Sequence, residues 1–254
     1  MFSIFKSRRL NTKSKESTSV PEKFLPIKPV TRKELKKAAK KRLSVINKEF
    51  KEGFEFIDKY PKSVTFFGSS LLEPTDKYCE SAQSLAGRIV KDLQYCVTTG
   101  GGPGIMEAAN KGAFEAGGTS LGITIELPHE QVRNAFLTDY IPIYYFFSRK
   151  VCLSFSAEAF VFFPGGFGTL DEVMELLTLV QTKKIVSVPI ILVGSDYWNK
   201  FKIFLEEEVL SRGMIEKDDM SLFTITDSQD EIIEIIRKAP IREGVRLSDH
   251  HPII

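Results

Sequence analysis

The sequence predicts an α/β protein with a doubly wound, mainly parallel β-sheet and helices on both of its faces. Three observations lead to this fold class. The chain has 254 residues, enough for one large domain with a sizeable core. Of these residues 43% are apolar and 27% are charged, which is ordinary for a globular protein. From Pro61 onward, short apolar runs alternate with helical patterns, as parallel strands joined by helices do.

The individual elements follow from two periodicities. Seven short apolar runs predict strands at 64–67, 95–98, 120–125, 141–146, 159–163, 189–193 and 222–225. Apolar residues spaced three or four apart predict helices at 75–92, 103–116, 148–156, 169–182, 196–210 and 228–238. Ligands of such sheets bind beyond the carboxyl ends of the strands, where the strand order reverses. We therefore expect the functional site at the turns that leave the strands.

Composition divides the chain into four segments. Residues 1–30 show no sustained periodicity and are expected to be a disordered basic arm, and residues 241–254 a tail. Residues 31–60 predict an N-terminal helix that packs on the body or on a partner chain, and residues 61–240 a single domain. The apolar stripe of this helix is expected to consist of residues spaced three or four apart: Leu43, Ile46, Phe50, Phe54 and Ile57. Residues 1–50 carry 15 Lys and Arg against 4 Asp and Glu, which leaves 20 against 29 for residues 51–254. Nothing beyond the arm therefore indicates a nucleic-acid surface.

Several classes of protein are excluded or disfavoured by the sequence. No apolar stretch approaches the ~18–20 residues that span a bilayer, and the opening MFSIFKSRRL has no secretory apolar core. The Lys- and Ser-rich arm fits an organelle transit peptide less well than a solvated basic tail. Cys79, Cys96 and Cys152 have neither disulfide nor zinc spacing, so we expect buried free thiols and a cytoplasmic protein. His250 and His251 lie in the tail and are expected to be solvated rather than metal-bound.

Two strand-exit turns are rich in glycine: TGGGPGIMEAAN at 99–110 and PGGFGT at 164–169. Neither is a dinucleotide fingerprint, because Ile105 and Asp171 stand where G-x-G-x-x-G requires its last glycine, and no P-loop is present. Two interpretations remain. The turns are tight connections that need positive φ, or they bring backbone N–H groups at a helix start close to a bound anion.

The second turn also raises the question of Glu172. Thr169 and Glu172 match a capping box, in which the Glu side chain reaches back to the N-cap backbone. However, Glu172 lies about 100° around the helix from the polar position of Asp171 and above apolar Leu176. Burial there would raise its pKa and suit it to general acid or base chemistry. On the sequence alone, helix cap and catalytic carboxylate both remain open.

The segment YYFFSRKVCLSF at 144–155 adds two cations at a helix start. Ser148 is the expected N-cap, which places Arg149 and Lys150 in the first turn. Cations there oppose the helix dipole, at a cost of a few tenths of a kcal/mol each. They are either a solvated pair or a sign of a nearby anion, and a phosphate fits both the arginine and the glycine turns.

Four ordered motifs together resemble the LOG family, Rossmann-like proteins that are often labelled lysine decarboxylases. The motifs are GGGPGIMEAANKGA at 100–113, ELPHEQ at 126–131, FFSRK at 146–150 and PGGFGTLDE at 164–172. The likeness is to the longer, bacterial-type members and runs from about residue 64 to residue 225. It implies a Rossmann-like nucleotide-binding domain at 61–240. It also implies hydrolysis of the N-glycosidic bond of a nucleoside 5′-monophosphate, either a cytokinin riboside monophosphate or an AMP-like nucleotide.

The resemblance assigns roles to residues at matching positions. Arg149 and Glu172 match the family's catalytic arginine and glutamate. The family's phosphate-binding loop and expected substrate contacts correspond to Gly165, Gly166, Gly168, Thr169, Lys150, Ser69 and Glu107. Phe147 stands where the plant-type pattern has histidine, and VRNAFLTDY at 132–140 is less proline-rich than expected, so the base preference stays open.

Further expectations concern cofactors and partners. The scheme needs no cofactor and no metal, and nothing in the sequence marks a Schiff-base lysine with a pyridinium partner, which argues against a decarboxylase. The family implies a homodimer or a larger homo-oligomer. Two alternatives from other classes remain: a non-catalytic nucleotide-binding or molybdenum-cofactor carrier protein, and an arm that binds RNA or an acidic membrane.

Overall fold

The computed structural model describes residues 31–126 and 133–240. The expectations for the arm at 1–30, for the tail with His250 and His251, and for the ELPHEQ motif beyond Glu126 lie outside the described residues. In the described ranges, the predicted fold class is confirmed: a single seven-stranded parallel sheet is surrounded by helices.

The sheet has the strand order β4-β3-β2-β1-β5-β6-β7, and every pairing in it is parallel. From β1 the chain adds β2, β3 and β4 on one side and then returns to place β5 on the other. The order therefore reverses between β1 and β5. The strands are β1 (Ser63–Phe67), β2 (Cys96–Thr99), β3 (Ser120–Ile125), β4 (Asp139–Ile143), β5 (Ala159–Phe162), β6 (Ile190–Leu192) and β7 (Thr224–Ile225).

The helices match the predicted segments within a few residues at each end. They are α1 (Arg32–Asp58), α2 (Lys77–Arg88), α3 (Ile105–Glu115), α4 (Phe146–Phe155), α5 (Phe167–Gln181), α6 (Ser195–Phe204) and α7 (Gln229–Lys238). Two of the helices continue into π-helical turns, α2 at Ile89–Leu93 and α6 at Leu205–Leu210, and a 3₁₀ turn spans Lys217–Ser221.

The fourth strand is the clearest error in the predicted boundaries. The sequence places it at 141–146, but β4 pairs with β3 from Asp139 to Ile143 and ends where β3 ends. Phe146 already belongs to α4, whose N-cap is Tyr145. The aromatic run continues the apolar pattern of the strand, and the length of the neighbouring strand, rather than the pattern, decides where pairing stops.

Two apolar layers bury both faces of the sheet, as expected for parallel strands covered by helices. In β5, Phe160 and Phe162 belong to one layer, and Ala159 and Val161 belong to the other. The first layer includes residues of α1, α4, α5 and α6, and the second includes residues of α2, α3 and α7. Because all seven strands are parallel, their carboxyl ends lie at the same edge of this covered sheet, which supports the turns leaving it.

The chain divides into two compact units between Arg42 and Leu43, within α1. The described side chains from Thr31 to Arg42 are all exposed. In the second unit, the buried face of α1 consists of Glu49, Gly53 and Phe56. The predicted apolar stripe of Leu43, Ile46, Phe50, Phe54 and Ile57 lies beside that face and is only partly buried or exposed. The domain boundaries expected from the sequence remain predictions.

Cys79 and Cys152 are buried free thiols as expected, and Cys96 is a free thiol that is only partly buried. In the part of the chain that the structure describes, no helix has the length and apolarity to cross a bilayer.

Candidate functional site

Three strand-exit turns meet where the strand order reverses. The Ser69 N–H, just after β1, donates to the Pro164 carbonyl after β5, at 3.0 Å. The Ser69 carbonyl accepts from the Ile105 N–H at the start of α3, also at 3.0 Å. Ser69 therefore joins the two glycine turns through its backbone, and its Oγ accepts from the Leu71 N–H. The two turns are therefore neighbours at the carboxyl edge of the sheet, the expected position for a ligand site in this architecture. We call the region between these two turns the crevice.

The first glycine turn needs its glycines for its own conformation. Gly101 and Gly104 have φ of +72° and +68°, and a Cβ at Gly104 would collide with the Ser69 carbonyl. The positive-φ interpretation is therefore correct at these two positions. The buried Thr99 hydroxyl accepts from the Gly101 N–H at 2.8 Å and so stabilises the turn.

A buried polar network, which the sequence did not reveal, supports the same turn. Asn110 on α3 accepts from Thr99 at 2.6 Å and from Asn134 at 2.9 Å, and it donates to Ser120 at 2.8 Å. Asn134 also donates to the Gly102 carbonyl at 3.1 Å. Such satisfied networks rigidify the groups they join. A polar Asn on the buried face of an otherwise small-residue helix was the only signal in the sequence that could have indicated it.

The second glycine turn behaves differently, and the positive-φ interpretation is wrong there. None of Gly165, Gly166 and Gly168 has a positive φ, and a Cβ at Gly166 or Gly168 would have nothing within 4 Å. Only Gly165 is required by packing, since a Cβ there would collide with the Thr169 side chain. Two glycines thus leave open space at the start of α5, which is what close approach of a ligand to the backbone requires.

The capping-box interpretation of Thr169 and Glu172 is also wrong. Helix α5 begins at Phe167 with Gly166 as N-cap and no side-chain cap, so Thr169 is already the third helical residue. Glu172 is then in the second turn, beyond reach of the N-cap backbone. The glycine pair permits this earlier start, and the first N–H groups of the helix, at Phe167, Gly168 and Thr169, have no intrahelical acceptor.

Glu172 is a buried carboxyl group with an altered acidity. Its exposure is 8%. Burial raises the pKa of Glu172 most, Glu175 and Asp171 act in the same direction, Lys150 and Arg149 lower it, and the net value is about 7. At neutral pH both protonation states are therefore populated, a condition suited to proton transfer.

Arg149 reaches the same edge of the sheet from α4. Its Nε donates to the Ile123 carbonyl of β3 at 2.8 Å, and a Cβ at Gly100 would collide with its Nη2. The guanidinium thus lies against the first glycine turn. Burial lowers the pKa of Arg149 and the charge of Glu172 opposes this shift. An arginine nevertheless remains protonated in proteins, so a fixed positive charge acts on the buried carboxyl group.

The predicted start of α4 is wrong. Ser148 is fully buried inside the helix and is not the N-cap, which is Tyr145. Arg149 and Lys150 are therefore in the second turn and do not oppose the helix dipole at its end.

Lys150 connects α4 to α5. Its Nζ lies 2.8 Å from the Asp171 carboxylate and 2.9 Å from that of Glu175. Burial lowers the pKa of Lys150, but its hydrogen bonds to Asp171 and Glu175 outweigh this and raise it. The ammonium group is held by two acids that flank Glu172 on the helix, close enough to be the main charge that lowers the pKa of Glu172.

Glu107 is the one predicted site residue that this cluster does not include. It is partly buried in the first turn of α3, and its side chain forms no hydrogen bond or ion pair within the described ranges. Burial, then the charges of Asp76 and Glu107, raise the pKa of the Cys79 thiol on α2 to about 11. In the same ranges, no three His, Cys, Asp or Glu side chains converge to hold a metal ion.

Comparison with known proteins gives a family. The model of the family described as possible lysine decarboxylase matches residues 106–236, just over half of the chain. The matched segment carries Arg149, Lys150 and the glycine turn of α5. The chain belongs to this family, the LOG family.

Members of the LOG family with related sequences are named as phosphoribohydrolases. The Arabidopsis thaliana cytokinin riboside 5′-monophosphate phosphoribohydrolase LOG5 is 26% identical over 194 residues, covering 75% of this chain and 84% of that protein. A cytokinin riboside 5′-monophosphate phosphoribohydrolase of Rhodococcoides fascians is 30% identical over 122 residues, covering 46% and 61%. These relatives support LOG-type enzymatic activity for the family to which this chain belongs.

Among solved structures, the molybdenum cofactor carrier protein of Chlamydomonas reinhardtii has the same fold. The likeness has a TM-score of 0.53 at 22% identity and covers 70% of this chain and 97% of that one. At this identity the likeness concerns the fold.

Proposed function

We propose that this LOG-family protein hydrolyses the N-glycosidic bond of nucleoside 5′-monophosphates, with release of the free base and ribose 5-phosphate. The observation that carries the proposal is the buried Glu172, whose pKa is raised to about 7, beside the fixed charge of Arg149. A protein that only binds a nucleotide has no need to keep an ionisable carboxyl group buried at a cost in stability.

Glu172 acts on the sugar and the attacking water. Departure of the base from C1′ takes the electron pair of the C–N bond and leaves an oxocarbenium-like sugar, as in glycoside hydrolysis. The Glu172 carboxylate stabilises this positive charge and accepts a proton from the water whose oxygen bonds to C1′. The departing base takes up a proton in exchange, so the reaction consumes one water.

The start of α5 holds the 5′-phosphate. Its first N–H groups have no acceptor within the helix, and Gly166 and Gly168 leave room for phosphate oxygens to approach the backbone. Because the phosphate is remote from the reacting bond, its binding energy serves to position C1′ next to Glu172. An otherwise identical nucleoside without the phosphate should lose turnover as well as affinity.

Arg149, whose guanidinium lies against the first glycine turn, orients the nucleotide and stabilises negative charge on the departing base or the phosphate. Lys150 contacts the phosphate or tunes Glu172 through its ion pairs with Asp171 and Glu175. Ser69, between the two turns, and Glu107, at the start of α3, complete the proposed substrate contacts. Cytokinin riboside monophosphates and AMP-like nucleotides are the proposed substrates, and a homodimer is the proposed assembly.

The test is incubation of the protein with AMP, followed by chromatographic assay of adenine and enzymatic assay of ribose 5-phosphate. We expect equimolar products. Glu172→Gln should reduce kcat by ~10²-fold or more, as expected for loss of a general base. The matched control is Glu207→Gln, the same change at an exposed position away from the crevice, which should retain the wild-type rate.

Two outcomes would contradict the proposal. If AMP binds but is not cleaved, and cytokinin riboside monophosphates are not cleaved either, the protein is better described as a nucleotide carrier without catalytic activity. Equal kcat for Glu172→Gln and Glu207→Gln would remove Glu172 from the mechanism. A panel of 5′-monophosphates then identifies the preferred base.

A further inference from the structure

The second half of α1 lies outside the segment that matches the family model, yet it packs against the helix that carries Arg149. Its buried face consists of Glu49, Gly53 and Phe56, spaced four and three residues apart on one side of the helix. A buried carboxyl group on a face that is otherwise apolar needs a partner, because an unpaired buried charge is costly.

The partners of Glu49 are backbone N–H groups just before α4. Glu49 is 7% exposed, and its carboxylate accepts from the Tyr144 N–H at 2.7 Å and from the Tyr145 N–H at 3.4 Å. Tyr145 is the N-cap of α4, and it provides no side-chain cap of its own. Glu49 therefore supplies, from another helix, the acceptor and the negative charge that a helix N-terminus favours.

Three further contacts hold the same two helices together. Gly53 lies against Cys152, where a Cβ would collide with the sulfur. The rings of Phe50 and Phe147 are 6.5 Å apart. Those of Phe54 and Phe155 are 5.8 Å apart. The contacts extend from the start of α4 to its end, so α1 constrains both the position and the rotation of α4.

The rotation of α4 decides where the Arg149 guanidinium lies. That group lies between the Ile123 carbonyl, to which its Nε donates, and the first glycine turn, where a Cβ at Gly100 would collide with its Nη2. A small change at Tyr145, one helical turn earlier, would move it out of this position. Misplacement of a reacting or orienting group by about 1 Å costs as much as 10²-fold in rate.

We propose that Glu49 is a positioning residue for Arg149, which acts through the N-terminus of α4 and touches neither substrate nor reacting atoms. This inference rests on the proposed function. It adds to that function an element of this chain, the second half of α1, which takes part in setting the geometry of the site.

The experiment is a double-mutant cycle between Glu49 and Arg149, measured as kcat/KM for AMP. We expect Glu49→Gln, which retains an acceptor but loses the charge, to reduce kcat/KM by about tenfold and Glu49→Ala by more. In an Arg149→Ala background neither change should reduce the rate further, because the group being positioned is gone. Glu52→Gln, the same substitution on the exposed side of α1, should match the wild type in both backgrounds.

Loss of packing alone predicts a different result. If Glu49 only stabilises the fold, its substitution lowers the rate by the same factor with or without Arg149, and this outcome would overturn the inference. So would equal rates for Glu49→Gln and Glu52→Gln. Should Glu49→Ala fail to fold, Glu49→Gln carries the cycle. If the wild type does not cleave AMP, the proposed function fails. The positioning role is then tested separately, by measuring the AMP affinity of the same four variants by calorimetry.

Discussion

At the scale of single residues, the environment of Glu172 connects stability to chemistry. Burial is the largest contribution to its raised pKa, and Lys150 is the main charge that opposes it. The folded protein therefore holds the proton of Glu172 to higher pH than the unfolded chain does. Between the unfolded pKa of about 4.5 and the folded value of about 7, stability falls as pH rises, because ionisation costs more in the folded state. The protein thus maintains a reactive carboxyl group at some expense of stability.

The pH dependence of the rate follows from the same pKa. If the carboxylate is the reactive form, kcat/KM for AMP should rise up to tenfold per pH unit below about 7 and level off above it. Rates from pH 5 to pH 9 test this for the wild type. The second ionisation of the substrate phosphate, near pH 6, affects Glu172→Gln equally, so the residual rate of that variant is the control. A wild-type rate that falls as pH rises through 7 would instead mean that Glu172 acts as an acid.

At the scale of elements, both strand-exit turns are rich in glycine, but they need their glycines for different physical reasons. The turn before α3 is glycine-rich because two of its residues have positive φ and because Ser69 approaches it closely. The turn before α5 has no residue with positive φ, and Gly166 and Gly168 face open space. We infer that the first turn is built for support and the second for binding.

This difference predicts opposite effects on stability and binding for one substitution. Gly168 lies in the first turn of α5, so Gly168→Ala should stabilise the protein by about 0.5–1 kcal/mol. The added methyl group would occupy the space next to the phosphate, and KM for AMP should rise about tenfold or more. Thermal unfolding and steady-state kinetics measure the two effects.

Gly165→Ala is the contrast within the same turn. A Cβ there would collide with the Thr169 side chain and lie 3.0 Å from the Ser69 nitrogen, so we expect lower stability. A Gly168→Ala variant that gains stability and keeps the wild-type KM would mean that the open space is not used by the substrate.

At the scale of the whole molecule, charge and compactness divide the chain in similar places. The basic excess lies entirely in residues 1–50, since residues 51–254 carry more acidic than basic side chains, and the compact units separate between Arg42 and Leu43. The crevice and all residues proposed to form it, together with Glu49, belong to the second unit. The helix α1 crosses the division, and its two halves therefore have different expected roles.

Two truncations separate these roles. A chain that begins at Leu43 should hydrolyse AMP with a kcat/KM within about twofold of the full chain at ~0.15 M salt, where long-range attraction by the arm is screened. A chain that begins at Lys59 lacks Glu49 and should lose tenfold or more. Circular dichroism and thermal unfolding verify that both are folded. A strong loss of kcat/KM in the chain that begins at Leu43 would mean that the basic segment takes part in the reaction.

Much of the fold and the set of candidate residues followed from local patterns. Apolar runs located all seven strands, and residues spaced three or four apart located the helices, because these periodicities reflect which side of each element is buried. Motif resemblance named Arg149, Glu172 and the glycine turns, and the structure brings these residues to one crevice. Their roles in the reaction remain proposals.

The places where local patterns failed are contacts between distant parts of the chain. Ser is a favoured N-cap residue, yet Ser148 is not the N-cap, because α4 already begins at Phe146. Strand β4 ends where β3 ends, which allows this earlier start. The acceptor near the helix start comes from Glu49, which is 95 residues before Tyr144 in the sequence. The apolar stripe from Leu43 to Ile57 was predicted to be the buried face of α1. Packing against α4 instead buries the adjacent face, which carries Glu49, Gly53 and Phe56. The pKa of Glu172 likewise depends on Lys150 and Arg149 from another helix. Periodicity is encoded over a few residues, whereas caps, burial and acidity depend on atoms that meet when the chain folds.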